Sequence, residues 1–183
     1  MDFTHYTDIC VQTAADLVNT KGHPSGNEYL GTPELLQKFM AEHQMAEPHD
    51  VDESDVAEVH KVRECLEAVF HAGDETEASK LLNGLLEDYA VKPYLTDHDG
   101  KWHFHYAPDG APASQRLASS TAMGLSTVVA EFGIKKFGVC HADDCADVFV
   151  DMSRNRSRRY CNDLCCTRTN VAAHRAREKA KSN

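Results

Sequence analysis

Four cysteines, Cys140, Cys145, Cys161 and Cys165, stand as C-x4-C, an interval of fifteen residues, and C-x3-C. Two close thiol pairs with a mid-sized spacer are the usual sequence form of a structural zinc site. Each pair supplies one arm of a tetrahedral S4 set, with sulfur about 2.3 Å from Zn2+. His141 adjoins Cys140 and Cys166 adjoins Cys165, so either neighbour can replace a ligand of this set. Cations surround the thiols. Arg154, Arg156, Arg158 and Arg159 lie between the pairs, and Arg168, Arg175 and Lys179 follow them. On a helix the last three are spaced i, i+7 and i+11 and line up one basic face. Together with the arginine-rich turn they could straddle a groove of double-stranded DNA and hold phosphates on either side.

The charge of the chain changes sign where this stretch begins. Residues 1–134 carry 8 Lys/Arg against 23 Asp/Glu, and residues 135–183 carry 11 against 6, within a total net charge of −10. An acidic body joined to a basic end makes the end a candidate polyanion binder. A second reading stays open: zinc only staples the C-terminal lobe, and the arginines meet an acidic protein surface without binding DNA. In a third reading the helical domain binds a small molecule. Seven cysteines, five of them within 27 residues, suit metal ligation in a reducing cytoplasm better than a disulfide framework. The first ten residues hold Asp2, His5 and Asp8 where a signal peptide would be basic and then apolar. The least polar window, Leu117 to Ile134, is diluted by Ser, Thr, Gly and Glu131, so no membrane span is expected. No nucleophile–base pair, phosphate-cradling Gly loop or His-Glu-x-x-His sequence is present, and an enzyme is not expected.

Hydrophobic residues make up 42% of the chain, enough for a core that can position these groups. Phe3, Tyr6, Cys10, Ala14, Leu17 and Val18 recur at helical spacing and predict a first amphipathic helix, broken by Gly22-His23-Pro24. Asp16 and Asn19, one turn apart on it, could line a ligand pocket or cap the helix. Thr32-Pro33-Glu34 predicts a capped start for a second helix, and a polar connection around Glu47 to Asp50 follows it. Asp52, Glu53 and Asp55 mark the first turn of a third helix, and Asp74 caps a fourth. Trp102, Phe104 and Tyr106 alternate with His103 and His105 after an Asp99-Gly100 turn. Residues 92–106 are therefore expected to form a β-hairpin with its aromatic face on the helices and its histidines in solvent. Leu117, Thr121, Leu125, Val128 and Phe132 predict a fifth helix. Beyond it come a short strand at Val148-Phe149-Val150, a polar hairpin turn from Ser153 to Arg159, and a last helix capped by Asn162. Cys10 and Cys65 fall on apolar faces and are expected in the core. The fold class is thus α+β, mainly α. A helical N-terminal domain with a β-hairpin (1–134) precedes a small treble-clef-like zinc module (135–183) that ends in a helix.

Cys140-x4-Cys145, Phe149-Val150-Asp151-Met152-Ser153-Arg154-Asn155, Arg159-Tyr160-Cys161 and Cys165-Cys166-Thr167-Arg168 together resemble the CGNR zinc finger. In that family the finger follows an N-terminal ABATE domain, in bacterial proteins regarded as stress-induced transcription regulators. Asp16-Leu17-Val18-Asn19-Thr20 is similar to the opening signature of that domain, and the Thr32-Pro33-Glu34-Leu35-Leu36 start also fits. The motif's Gly and Asn are Cys166 and Thr167 here. The resemblance implies a zinc finger and DNA binding by the C-terminal module, and the acidic N-terminal domain is expected to sense an effector or to form a homodimer.

Overall fold

The computed structural model describes residues 5–22, 25–45, 51–97 and 100–181. Phe3, the His23-Pro24 break, the 47–50 connection and Asp99 lie outside these residues. Helix α5 (Ala113–Phe132) is the hub, with α1 (His5–Asn19), α3 (Glu53–Phe70) and α4 (Glu75–Asp88) packed around it. Its buried face is built from small residues, including Ala118, Ser119, Ala122 and Gly124. These let neighbouring backbones approach closely. A Cβ added at Gly124 would lie 2.9 Å from Cys10 Cβ on α1, inside any tolerable contact. Leu17, Leu36, Met40, Leu66, Leu82, Leu117 and Leu125 fill the space between the helices and are fully buried.

The helix starts follow their capping residues. Thr32 accepts the Leu35 N–H at 3.4 Å ahead of α2 (Pro33–Glu42). Asp52 and Asp55 form a reciprocal capping box on α3, and Asp74 accepts the Glu77 N–H at 2.8 Å on α4. Between α1 and α2, the two-residue strands β1 (Lys21–Gly22) and β2 (Asn27–Glu28) bring Glu28 over α3. There Arg63, only 5% exposed, donates to both Glu28 carboxylate oxygens at 2.8 and 2.6 Å and to Thr20 Oγ1 at 3.0 Å. A guanidinium this deep is tolerable because its fork matches the carboxylate. Burial works against ionisation of Glu28, but the Arg63 bonds outweigh it and lower its pKa.

Two expectations are corrected. Strands β3 (Tyr94–Thr96) and β4 (His103–His105) do pair, with Leu95 opposite Phe104. The apolar face of the hairpin, however, points to solvent: Leu95, Phe104 and Trp102 are 55%, 52% and 69% exposed. His103 and His105 are half-buried instead. Tyr94 donates its hydroxyl hydrogen to the exposed Asp109 at 2.9 Å and sits 3.1 Å from His105 Nδ1 on the hairpin's other face. Alternation distinguishes the two faces of a strand but does not say which one turns inward. Cys65 is exposed on α3, whereas Cys10 is buried as expected. Among the described residues, no helix is long and apolar enough to cross a membrane.

His43, at the C-terminal end of α2, joins that helix to α1. Its Nε2 lies 3.0 Å from Asp16 Oδ2, its Nδ1 lies 2.8 Å from the Phe39 carbonyl, and its ring stacks on Phe39. Both ring nitrogens face acceptors, so only the doubly protonated ring satisfies both. Burial opposes that charge. The Asp16 and Phe39 bonds, with Glu42 nearby, overcome it and raise the pKa above the ordinary 6.5. The stabilisation is therefore complete below pH 6.5 and is lost as pH rises through the raised value. In thermal melts, His43→Gln should cost more stability at pH 6 than at pH 8.5. An equal loss at both pH values would refute a charged His43.

Candidate metal centre

The zinc ligands are set by a hairpin and a helix start. Strand β5 (Phe137–Val139) pairs with β6 (Val148–Val150), and the loop between them carries Cys140 and Cys145. This knuckle is closed by backbone bonds from Cys140 N–H to Asp147 O (2.8 Å) and from Cys145 N–H to Ala142 O (3.0 Å). The His141 N–H donates to Arg159 O at 2.9 Å, which brings the chain entering Cys161 alongside the knuckle. Asn162 Oδ1 then accepts the Cys165 N–H at 2.9 Å and caps α6 (Asp163–Lys181). Cys161 thus sits just ahead of the helix and Cys165 in its first turn.

The four sulfur atoms of Cys140, Cys145, Cys161 and Cys165 all lie within 4.8 Å of one another. Cys145 and Cys161 are 3.7 Å apart, and Cys161 and Cys165 are 3.5 Å apart. Tetrahedral zinc with four thiolates at about 2.3 Å requires edges of about 3.8 Å, so the donor set fits that ion. His141 and Cys166 are not in the cluster. His141 Nδ1 instead accepts from Arg159 Nε at 3.3 Å, and Cys166 lies against Asn170. Crowded thiols resist ionisation without a cation. Burial, then Cys140 and the Asp147 carboxylate, push Cys145 up to about 12. Cys161 is raised by burial and by Cys165 and Asp147. For Cys140, burial is outweighed by the backbone N–H groups of Ala142 and Cys161, and its pKa falls. Zinc replaces the protons of such a cluster and supplies the cohesion that its small core lacks. That core contains only Cys140, Ala142, Phe149, Cys161 and Cys165, with Cys145 and Tyr160 at its edge.

The strand β6 joins this core to the helices. Phe149 turns toward the cysteines, while Val148 and Val150 are buried in the main core. Gly138 lies under the Phe149 ring, where an added Cβ would come within 2.6 Å of it. Asn19 fixes the join. Its Nδ2 donates to Val148 O at 3.0 Å, and its Oδ1 accepts the Val148 N–H at 2.8 Å. Asn19 therefore neither lines a pocket nor caps α1; it pairs with a strand edge as a neighbouring strand would. Asp16 is engaged by Gln12 and His43. This clamp leaves no local pattern in the sequence, because the side chain pairs with a strand 129 residues away.

Arg154, Arg156, Arg158, Arg168, Arg175 and Lys179 are all exposed, and they divide by their contacts. Arg158 reaches back to the backbone that leads into the second cysteine pair. It donates through Nε to Tyr160 O at 3.0 Å and through Nη2 to Cys161 O, and it stacks over the Phe149 ring at 4.8 Å. Arg168 Nη2 pairs with Asp144 Oδ1 at 2.8 Å and lies 3.4 Å from Cys165 Sγ. The run from Ser153 to Arg159, expected as a hairpin turn, is a loop with no strand pairing. It is organised by Asp151, which accepts the Ser153 and Arg158 N–H groups at 2.8 and 2.9 Å. Asp151-x-Ser153 is a local pattern from which that turn could have been read.

Replacing Asn19 with Ala strips both bonds from Val148 and should destabilise the fold by about 2 kcal/mol in denaturant titrations. Zinc removal by a chelator should lower the melting temperature of wild type. Cys145→Ser should melt near that lower temperature with or without added zinc. A variant that still responds fully to zinc would remove Cys145 from the ligand set.

Two family models match the chain. Residues 136–178 match the CGNR zinc finger. Residues 12–131 match ABATE, described as "Putative stress-induced transcription regulator". No curated protein is significantly similar to it. With the ABATE match spanning more than half of its length, followed by a finger whose four cysteines converge on one point, the chain belongs to the ABATE family and carries a CGNR zinc finger.

Proposed function

We propose that the protein is a transcription regulator that binds double-stranded DNA through its zinc module, while the helical domain receives a signal or brings two copies together. One observation carries this reading. From Asn170 to Lys181 every residue of α6 is exposed, and this stretch presents Arg175, Arg177, Lys179 and Lys181. A 19-residue helix is about 28 Å long, so most of α6 stands clear of the body with cations along it. That shape suits a groove lined by phosphates.

The loop ahead of Cys161 supports the same assignment. Lys136 Nζ donates to Ser153 O at 2.8 Å, and the Ser157 N–H donates to Ser153 Oγ at 3.2 Å. Arg156 is held at φ 49°, a left-handed backbone that costs a non-glycine residue energy and is kept only where the surroundings enforce it. The loop therefore holds Arg154 and Arg156 outward on a fixed frame, at the root of the helix carrying Arg175 and Lys179. Arg158 and Arg168 have partners inside the module, so the phosphate contacts are assigned to the other four.

Titrating duplex DNA at several salt concentrations tests this. The log of the binding constant should fall with log salt by about 0.9 for each phosphate neutralised. Replacing Arg154, Arg156, Arg175 and Lys179 together by Ala should flatten that slope by about 3.6 and leave the melting temperature unchanged. Absence of binding at low salt would overturn the proposal. A collapse of the melting temperature in this variant would return the cations to a structural role.

A further inference from the structure

We infer that Arg168 is a positioning residue of the zinc centre, locking α6 to the knuckle across the ion and drawing charge from the Cys165 thiolate. The geometry is specific. One terminal nitrogen, Nη2, reaches both Cys165 Sγ (3.4 Å) and Asp144 Oδ1 (2.8 Å). A guanidinium nitrogen of this kind carries two hydrogens, one for each acceptor. Arg168 lies three residues beyond Cys165 on the helix. Long helical side chains lean back over the preceding turn, so this spacing delivers the guanidinium to the sulfur. Asp144 belongs to the knuckle, between the first two ligands. The Arg168 contacts therefore join the same two arms that the metal joins.

Electrostatics gives the link its purpose. Four thiolates on Zn2+ leave two net negative charges, and the Asp147 carboxylate stands 3.3 Å from Cys161 Sγ. Asp144 adds another negative charge on the knuckle. Arg168 is the guanidinium bonded to a ligand sulfur. An N–H donor on a thiolate withdraws electron density, holds the ligand in place and slows its exchange with competing groups. Lysine has the charge but not the flat fork that can divide between a sulfur and a carboxylate. The Arg168 side chain is 46% exposed, which places the expected effect at the lower end of what outer-shell partners contribute.

The test reads the metal rather than DNA. In chelator competition, Arg168→Ala should weaken zinc binding about 10-fold, and Arg168→Lys should fall between Ala and wild type. With Co2+ in the site, the sulfur-to-cobalt charge-transfer band should move to lower energy in both variants as Cys165 becomes more electron-rich. Unchanged zinc affinity and an unchanged cobalt band would overturn the inference. If Arg168→Ala does not fold, the Lys variant decides by the same two readings. A DNA salt slope that falls by about 0.9 in Arg168→Ala but not in Arg168→Lys, with both metal readings unchanged, would make Arg168 a phosphate contact instead. The metal readings stand whether or not the protein binds DNA.

Discussion

The C-terminal part of this protein depends on four sulfur atoms being acceptable neighbours. Held within 4.8 Å of one another, they belong to a cluster in which Cys145 and Cys161 both resist ionisation. A divalent cation reverses this by making the thiolate form the stable one, and the same bonds tie the knuckle to the first turn of α6. Little else could do so. The local core contains five buried residues, three of them metal ligands, and α6 buries no residue other than Cys165. The direction in which the basic helix projects is therefore set at the metal.

Metal and helical body are joined through the strand β6. Because side chains alternate, Phe149 packs with the cysteines while Val148 and Val150 enter the core with Leu17 and Leu125. Asn19 reinforces the join by saturating the backbone of Val148 in both directions. Lys136 and Asp151, both buried, extend the same seam into the arginine loop through Ser153. Helix α1 packs on β6, and β6 sets Phe149 against the metal site and continues into the loop that displays Arg154 and Arg156. This is a contiguous physical route between the helical body and the basic surface.

Much of this was legible in the residues. Capping signals at Thr32, Asp74 and Asn162, and the acidic run from Asp52 to Asp55, placed four helix starts, because such groups act on backbone within three residues of themselves. The cysteine spacing placed the metal site for a related reason, since thiols on a tight loop and on a helix turn are already close to their partners. What was not legible depends on long-range choices. The hairpin leaves its apolar side, Leu95 and Phe104, in solvent and pairs Tyr94 with His105 on the other face. Cys65 lies on α3 beside a buried stripe but not in it. The bond from Asn19 to Val148 crosses most of the chain.

The arginines show why charge counts alone could not assign roles. Seen as a composition, the segment after residue 134 is simply basic. In space, its cations divide by what lies within reach. Arg158 covers the Phe149 ring and donates to the backbone carbonyl of Cys161, so its charge helps to hold the chain where the second ligand pair begins. Arg168 spans Cys165 and Asp144. Arg154 and Arg156 stand on a loop whose inward bonds are made by Asp151, Ser153 and Lys136, which leaves their side chains in solvent. A module with so little apolar core thus uses some of its arginines as internal braces. Arg154 and Arg156 on the fixed loop and the cations on the outer turns of α6 all stand in solvent, so a polyanion would meet a preformed basic surface rather than have to order one.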